Sequence, residues 1–200
     1  MFQLTESDQK LLLQIARDAV QAHLCNEPVS TPEIAGGVLR ESFGIFVSIH
    51  KQGDLRGCIG NVHATGPLHR SAAECAIAAA VGDPRFLPLM HEELPHVDFE
   101  ISVLSPLKRI RAIEEIEVGK HGLLISKKGY RGLLLPQVAT AYSWDRITFL
   151  QETCRKAGLR ADDWQDGATI QCFSAFVFGE PRSASAIARS LKESSHPSVK

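Results

Sequence analysis

Residues 44–60 constrain the fold most, because two strand-like runs flank a turn and commit the chain to an antiparallel hairpin. Gly44-Ile45-Phe46-Val47-Ser48-Ile49-His50 reads as a strand, Gln52-Gly53-Asp54 has turn chemistry, and Asp54-Leu55-Arg56-Gly57-Cys58-Ile59-Gly60 returns. Side chains two apart on a strand share a face, so Arg56 and Cys58 are expected to project together, roughly 7 Å apart, with Leu55 and Ile59 on the other face. One face then reads as core and the other as chemistry. Gly57 and Gly60 leave the backbone bare on either side of the sulfur, which suits a strained turn, a bulge or the close approach of a ligand. At an effective dielectric of about 20, the Arg56 charge favours the thiolate by roughly 2 kcal/mol. If a carboxylate such as Asp83 or Glu100 holds the guanidinium instead, the thiol faces a nearly neutral pair. Free cysteine is also a common small core residue.

Around the hairpin the patterns alternate between helix and strand. Thr5 or Ser7 can cap a first helix in which Leu11, Leu12, Ile15, Ala19 and Ala22 recur at helical spacing. Pro67 opens an alanine-rich helix over 68–81 that Gly82 stops, and its small residues predict close packing on a sheet. Residues 98–104 alternate as a strand with Glu100 on the polar face. An acidic helical turn follows at 112–117. A second hairpin is expected from a strand at 123–126, a Lys127-Lys128-Gly129 turn and a return at 132–135 that Pro136 ends. Asp145 caps a helix over 146–156, and 169–178 is the last strand. From Glu180 the Ser-rich chain reads as a tail, partly disordered, that holds at most one short helix. The predicted fold class is α+β, in one domain over 1–180 with the tail at 181–200.

Charge and cysteine usage narrow the functional classes. Twenty-two Lys and Arg stand against 23 Asp and Glu, dispersed, so no basic stripe exists to neutralise phosphates and nucleic acid is a poor partner. The five cysteines are widely spaced, with no CxxC pair, which fits a reducing compartment. The start lacks the features of a secretory signal, and the longest apolar run, 75–81, is far too short to span a bilayer. A cytoplasmic, soluble protein without membrane association is expected.

Taken in order, Leu55-Arg56-Gly57-Cys58-Ile59-Gly60, Asp83-Pro84-Arg85-Phe86, Glu92-Glu93-Leu94, Gly119-Lys120-His121-Gly122, Leu134-Leu135-Pro136-Gln137-Val138-Ala139 and Trp144-Asp145 resemble the AMMECR domain family over roughly residues 11–178. Residues 133–139 and 153–158 look most like its bacterial branch, called AmmeMemoRadiSam system protein A. The resemblance implies antiparallel sheets in a larger and a smaller lobe, helices packed on them, and motif residues gathered at a cleft between. It also implies two partners, a Memo-like protein and a radical S-adenosylmethionine (SAM) enzyme. It brings no established activity, so it speaks to fold more than function.

The candidate chemistry is a thiol site. Cys58 as a nucleophile needs a proton acceptor or donor, for which His121 between two glycines is the candidate; the alternative makes His121 a turn residue or backbone partner. Arg56 and Arg85 would bind a carboxylate or phosphate, with Gly57, Gly60 and Glu100 completing the substrate contacts, unless ion pairs with Asp83, Glu92, Glu93 or Glu100 hold the arginines for loop geometry. His63 and His69 read as solvated loop residues rather than ligands, and no metal or other cofactor is expected. Cys75 and Cys172 read as core, Trp144 and Trp164 as packing anchors, and Cys154 as core or a resolving thiol for Cys58. The expected function is binding or transformation of a small anionic metabolite; the alternative is a noncatalytic scaffold that docks the two partners.

Overall fold

In the computed structural model, which describes residues 3–181, the chain divides between two units. Unit 1 comprises residues 3–103 and 177–181, and unit 2 residues 104–176. The tail expected at 181–200 lies, apart from Pro181, outside the described residues.

Unit 1 opens with helix α1 (Glu6–Leu24), which Thr5 caps: its hydroxyl accepts the Asp8 N–H while the Asp8 carboxylate accepts the Thr5 N–H. The face carrying Leu12, Ile15, Ala16, Ala19 and Val20 is buried. The hairpin of β1 (Gly44–Lys51) and β2 (Asp54–Asn61) turns through Gln52 and Gly53, both at positive φ, as a two-residue turn matched to strand twist requires. Helix α2 (Leu68–Val81) follows Pro67 and ends at Gly82. Strand β3 (Val97–Leu104) lies beside β1, and the end of β7 (Thr169–Gly179) lies beside β3. Ile45, Val47, Ile49, Phe99, Ile101 and Val103 pack with Leu12, Ala16, Leu68, Ala72 and Ala76 in one apolar core.

The hairpin departs from strict alternation at the motif. Ile49 pairs with Gly57 but His50 pairs with Leu55, so Arg56 is the extra residue of a β-bulge. Leu55 and Ile59 therefore do not share a face: Ile59 packs with the core, whereas Leu55 is exposed. A Cβ at Gly57 would lie 2.1 Å from the Ala79 carbonyl oxygen, and one at Gly60 would lie 2.5 Å from the Phe46 ring. The close approach that bare backbone invites is made here by α2 and by an aromatic ring of the same chain.

Unit 2 is built on β4 (Lys108–Arg109), β5 (His121–Lys127), β6 (Tyr130–Leu134) and the first part of β7. Strand β7 pairs antiparallel with β4 and β5, and β5 with β6. Lys128 and Gly129, both at positive φ, make the expected β5–β6 turn. The short helix α3 (Pro136–Ala141) starts where the sequence predicted only a strand end. Helix α4 (Arg146–Lys156), capped by Asp145, lays Phe149, Leu150 and Cys154 on Leu123, Ile125 and Cys172. Strand β4 and α3 are too short to leave a periodic signal.

Two further expectations change. His69 is not a solvated loop residue; it is buried on α2, with Nδ1 2.8 Å from the Leu39 carbonyl oxygen. Glu180 is not loose tail: it takes two bonds from Arg17, at 2.7 and 2.5 Å, and one from the Phe99 N–H at 2.9 Å. Arg17 also donates to the Leu94 and Val97 carbonyls, so this pair ties α1 to β3.

Candidate functional site

The bulge decides what Arg56 does. Its guanidinium makes a fork with Glu93, Nε to Oε1 at 3.3 Å and Nη2 to Oε2 at 3.0 Å, and donates to the Leu87 and Pro88 carbonyls at 2.8 and 3.3 Å. Lys51 reaches the same carboxylate at 2.8 Å, so Glu93 closes two cations and is itself pushed down to about 2, chiefly by Arg56. Arg56 thus fastens residues 87–93 to β2. The ion-pair alternative describes it, with Glu93 rather than Asp83 or Glu100 as partner, and the charge expected to bias the thiol is neutralised.

Cys58 sits half-buried on β2, opposite Ser48 of β1. The Ser48 hydroxyl donates to its sulfur at 3.2 Å. The backbone around it is held by Asp83, which follows the end of α2. That carboxylate accepts the Cys58 N–H at 2.9 Å, the Arg85 N–H at 3.1 Å, and Arg85 Nε and Nη2 at 2.9 and 2.7 Å. Asp83 is only 5% exposed, and the Arg85 bonds hold its carboxyl well below the usual carboxylate range. Arg85 is held above its ordinary value by Asp83 first, with the Cys58 sulfur contributing. Its Nη2 also donates to the Cys58 carbonyl at 3.3 Å. Nη1 makes no hydrogen bond among the described residues, and the side chain is 54% exposed.

The other expected members have their own local surroundings. His121 begins β5 in unit 2, where its Nδ1 accepts the Glu117 N–H at 3.1 Å and its own N–H donates to the Glu117 carbonyl at 2.9 Å. That is the turn role offered as the alternative. Glu100 is half-buried on β3 and forms no ion pair with an arginine among the described residues. Gly57 is buried against α2, and Gly60, half-buried, has Phe46 where a Cβ would stand. Cys154 is fully buried in the core of unit 2, where burial raises its thiol, so it is no resolving thiol. Burial likewise pushes the Cys75 thiol up to about 11. Among the described residues, no group of three or more His, Cys, Asp or Glu could hold a metal ion, and no helix is long and apolar enough to cross a membrane.

Two residues of this arrangement escaped sequence reasoning in their actual roles. Asp83 was weighed only as an arginine partner, although Asp-Pro-Arg after a helix stop is the signature of an aspartate accepting the N–H two residues on. Ser48 was hidden by the bulge, because unbroken pairing from the turn would set it opposite Gly57.

Comparison with known proteins agrees with this architecture. The chain is 41% identical over 185 residues to a protein of Methanothermobacter thermautotrophicus, covering 88% of this chain and 96% of that one. It is 40% identical over 187 residues to a protein of Methanosarcina acetivorans, covering 88% and 94%. The crystal structure of protein PH0010 from Pyrococcus horikoshii superposes with a TM-score of 0.85 at 36% identity, covering 90% of this chain and 95% of that chain. None of these names states an activity. The AMMECR1 family model matches residues 13–178, and the chain belongs to that family.

Proposed function

We propose that unit 1 binds a small anionic metabolite at Cys58 and Arg85 and acts on it through the thiol. The observation that carries this reading is the posture of Arg85. Asp83 fixes two of its nitrogens and Nη2 also bonds the Cys58 carbonyl, yet Nη1 makes no hydrogen bond among the described residues and the side chain is 54% exposed. An arginine held by one carboxylate and still half exposed retains donors for a second carboxylate or for a phosphate. The Ser48 hydroxyl puts a donor on the sulfur, an interaction that strengthens as sulfur takes up negative charge. Where the metabolite offers a carbonyl carbon, the sulfur adds to it, the carbonyl π pair moves to its oxygen, and the proton lost from the thiol is returned to that oxygen through solvent, giving a hemithioacetal.

Family resemblance supports the rest of the reading: the AmmeMemoRadiSam system protein A branch, a cytoplasmic place, and work beside a Memo-like protein and a radical SAM enzyme. Metabolite profiling of a deletion strain carrying wild-type, Cys58→Ala or Arg85→Gln protein tests it. The same metabolite should change in the deletion and in both variants, and full complementation by Cys58→Ala removes the thiol from the function.

A second reading, the noncatalytic docking module, has its own observation. The loop that Arg56 fastens presents Leu87 at 84% and Met90 at 63% exposure, apolar groups on a rigid support. Co-purification of the two partners should fail with Leu87→Ser and Met90→Ser if docking is the role, and persist unchanged if the thiol site is.

A further inference from the structure

Unit 2 contains a hollow of about 700 Å³, formed where residues 109–113 face residues 164–170 across the β4–β7 pairing. Its volume falls in the range of small-molecule sites, roughly 300–1,000 Å³. Two arginines, Arg109 and Arg111, line it, and no acidic side chain does. Among the described residues neither guanidinium takes part in an ion pair or side-chain hydrogen bond. Of the carboxylates next to these residues in sequence, Asp163 and Asp166 pair with Lys127 at 2.8 and 3.2 Å and Glu115 with Lys108 at 3.1 Å, while Glu114 and Asp162 are exposed and form no ion pair among the described residues.

The arginine-bearing loop is held in place. The Glu115 carboxylate accepts the Arg111 and Ala112 N–H groups at 2.7 and 3.2 Å, while the Ile110 N–H donates to the Ile170 carbonyl at 3.1 Å. Those backbone bonds leave the two guanidiniums free. The remaining wall includes the Trp164 indole and Ile170. Among the described residues the indole nitrogen is buried without a hydrogen-bond partner, so the ring is held by packing and contributes an apolar surface rather than a donor.

We infer that this hollow binds a small organic anion, a carboxylate or phosphate joined to a flat ring, with Arg109 and Arg111 on the anionic group and Trp164 against the ring. Two guanidiniums in one hollow, neither bonded to a carboxylate among the described residues, keep their donors for a ligand, and the fork geometry of arginine suits planar oxyanions. Indole and aliphatic walls reward a ring beside the charge. This site is separate from the proposed thiol site and does not depend on it.

Titration of the full chain with adenosine 5′-monophosphate and with phenyl phosphate, followed by tryptophan fluorescence, tests the inference. Adenosine and inorganic phosphate serve as ring-only and anion-only probes, and Trp164→Phe assigns the signal against Trp144. Both ring phosphates should perturb Trp164 saturably at up to millimolar concentration, at least about tenfold more tightly than either half, since only they engage the arginines and the indole together. Arg109→Gln and Arg111→Gln should each weaken binding about tenfold or more, while Cys58→Ser leaves it unchanged. Because both arginines are exposed and unpaired, those variants should keep the wild-type melting temperature. No saturable response to either ring phosphate, or equal affinity in the arginine variants, overturns the inference.

Discussion

Replacing Asp83 by asparagine removes one charge from the point where β2, the end of α2 and Arg85 meet. The carboxylate accepts four hydrogen bonds, two from backbone N–H groups and two from the Arg85 guanidinium. Asparagine keeps one carbonyl oxygen and turns an NH₂ toward the remaining donors, so at least one buried N–H is left facing another. Losing a charged acceptor in a buried setting costs roughly 1–3 kcal/mol, and because Arg85 can recover water on its exposed side the top of the range is not reached and about 2 kcal/mol applies. The pH dependence makes the test specific. A carboxyl depressed on folding contributes stability that is complete above its unfolded value near 3.9 and is lost as pH falls toward its folded value. Asp83 is depressed, so at pH 3 wild type should have given up about 1.3 kcal/mol of that contribution while Asp83→Asn gives up none. Urea denaturation followed by circular dichroism at pH 7 and pH 3 should show a gap of about 2 kcal/mol that narrows by roughly two thirds on acidification. A gap that is absent at pH 7, or that stays constant between the two, refutes the assigned role of Asp83.

Other substitutions probe the remaining joints. Gly57→Ala forces a Cβ into the Ala79 carbonyl and should destabilise by about 2–3 kcal/mol in thermal melts, whereas Gly66→Ala, with open space around it, should leave stability within about 0.5 kcal/mol. Glu180→Gln weakens the Arg17 clamp between α1 and β3 and should cost about 1–2 kcal/mol by urea denaturation. Glu93→Gln leaves Arg56 and Lys51 without their shared anion; limited proteolysis should then cut within residues 87–93 at a rate that wild type reaches only upon acidification toward pH 2.

What was legible in the sequence was what local chemistry decides. The two hairpin turns announce themselves through Gly53 and Gly129, the helix starts through Thr5, Pro67 and Asp145, and the alanine run of α2 through its need to lie close on a sheet. Tertiary choices were not legible. Whether Arg56 would take Asp83, Glu92, Glu93 or Glu100 depends on which loop crosses the hairpin, and the bulge that sends it to Glu93 has no composition of its own. Glu180 looked like the first residue of a tail because its partner, Arg17, lies 163 positions away. His121 was the candidate proton acceptor for Cys58 because it stands between two glycines of a motif, and sequence does not show which groups meet; the Cys58 sulfur takes a bond from Ser48 and the His121 ring one from the Glu117 turn.

The proposed site rests on the half-buried Cys58 acting with Arg85, which bonds its carbonyl, and competitive alkylation tests that within one molecule. Cys25 is exposed and serves as the internal reference, while Cys75, Cys154 and Cys172 are buried. Peptide mapping after treatment with iodoacetate, an anion, and iodoacetamide, its neutral counterpart, should show Cys58 preferring iodoacetate several-fold more than Cys25 does, with the preference abolished by Arg85→Gln. A Cys58 that stays unlabelled while Cys25 reacts, or that reacts with both reagents in the proportions of Cys25, contradicts the account.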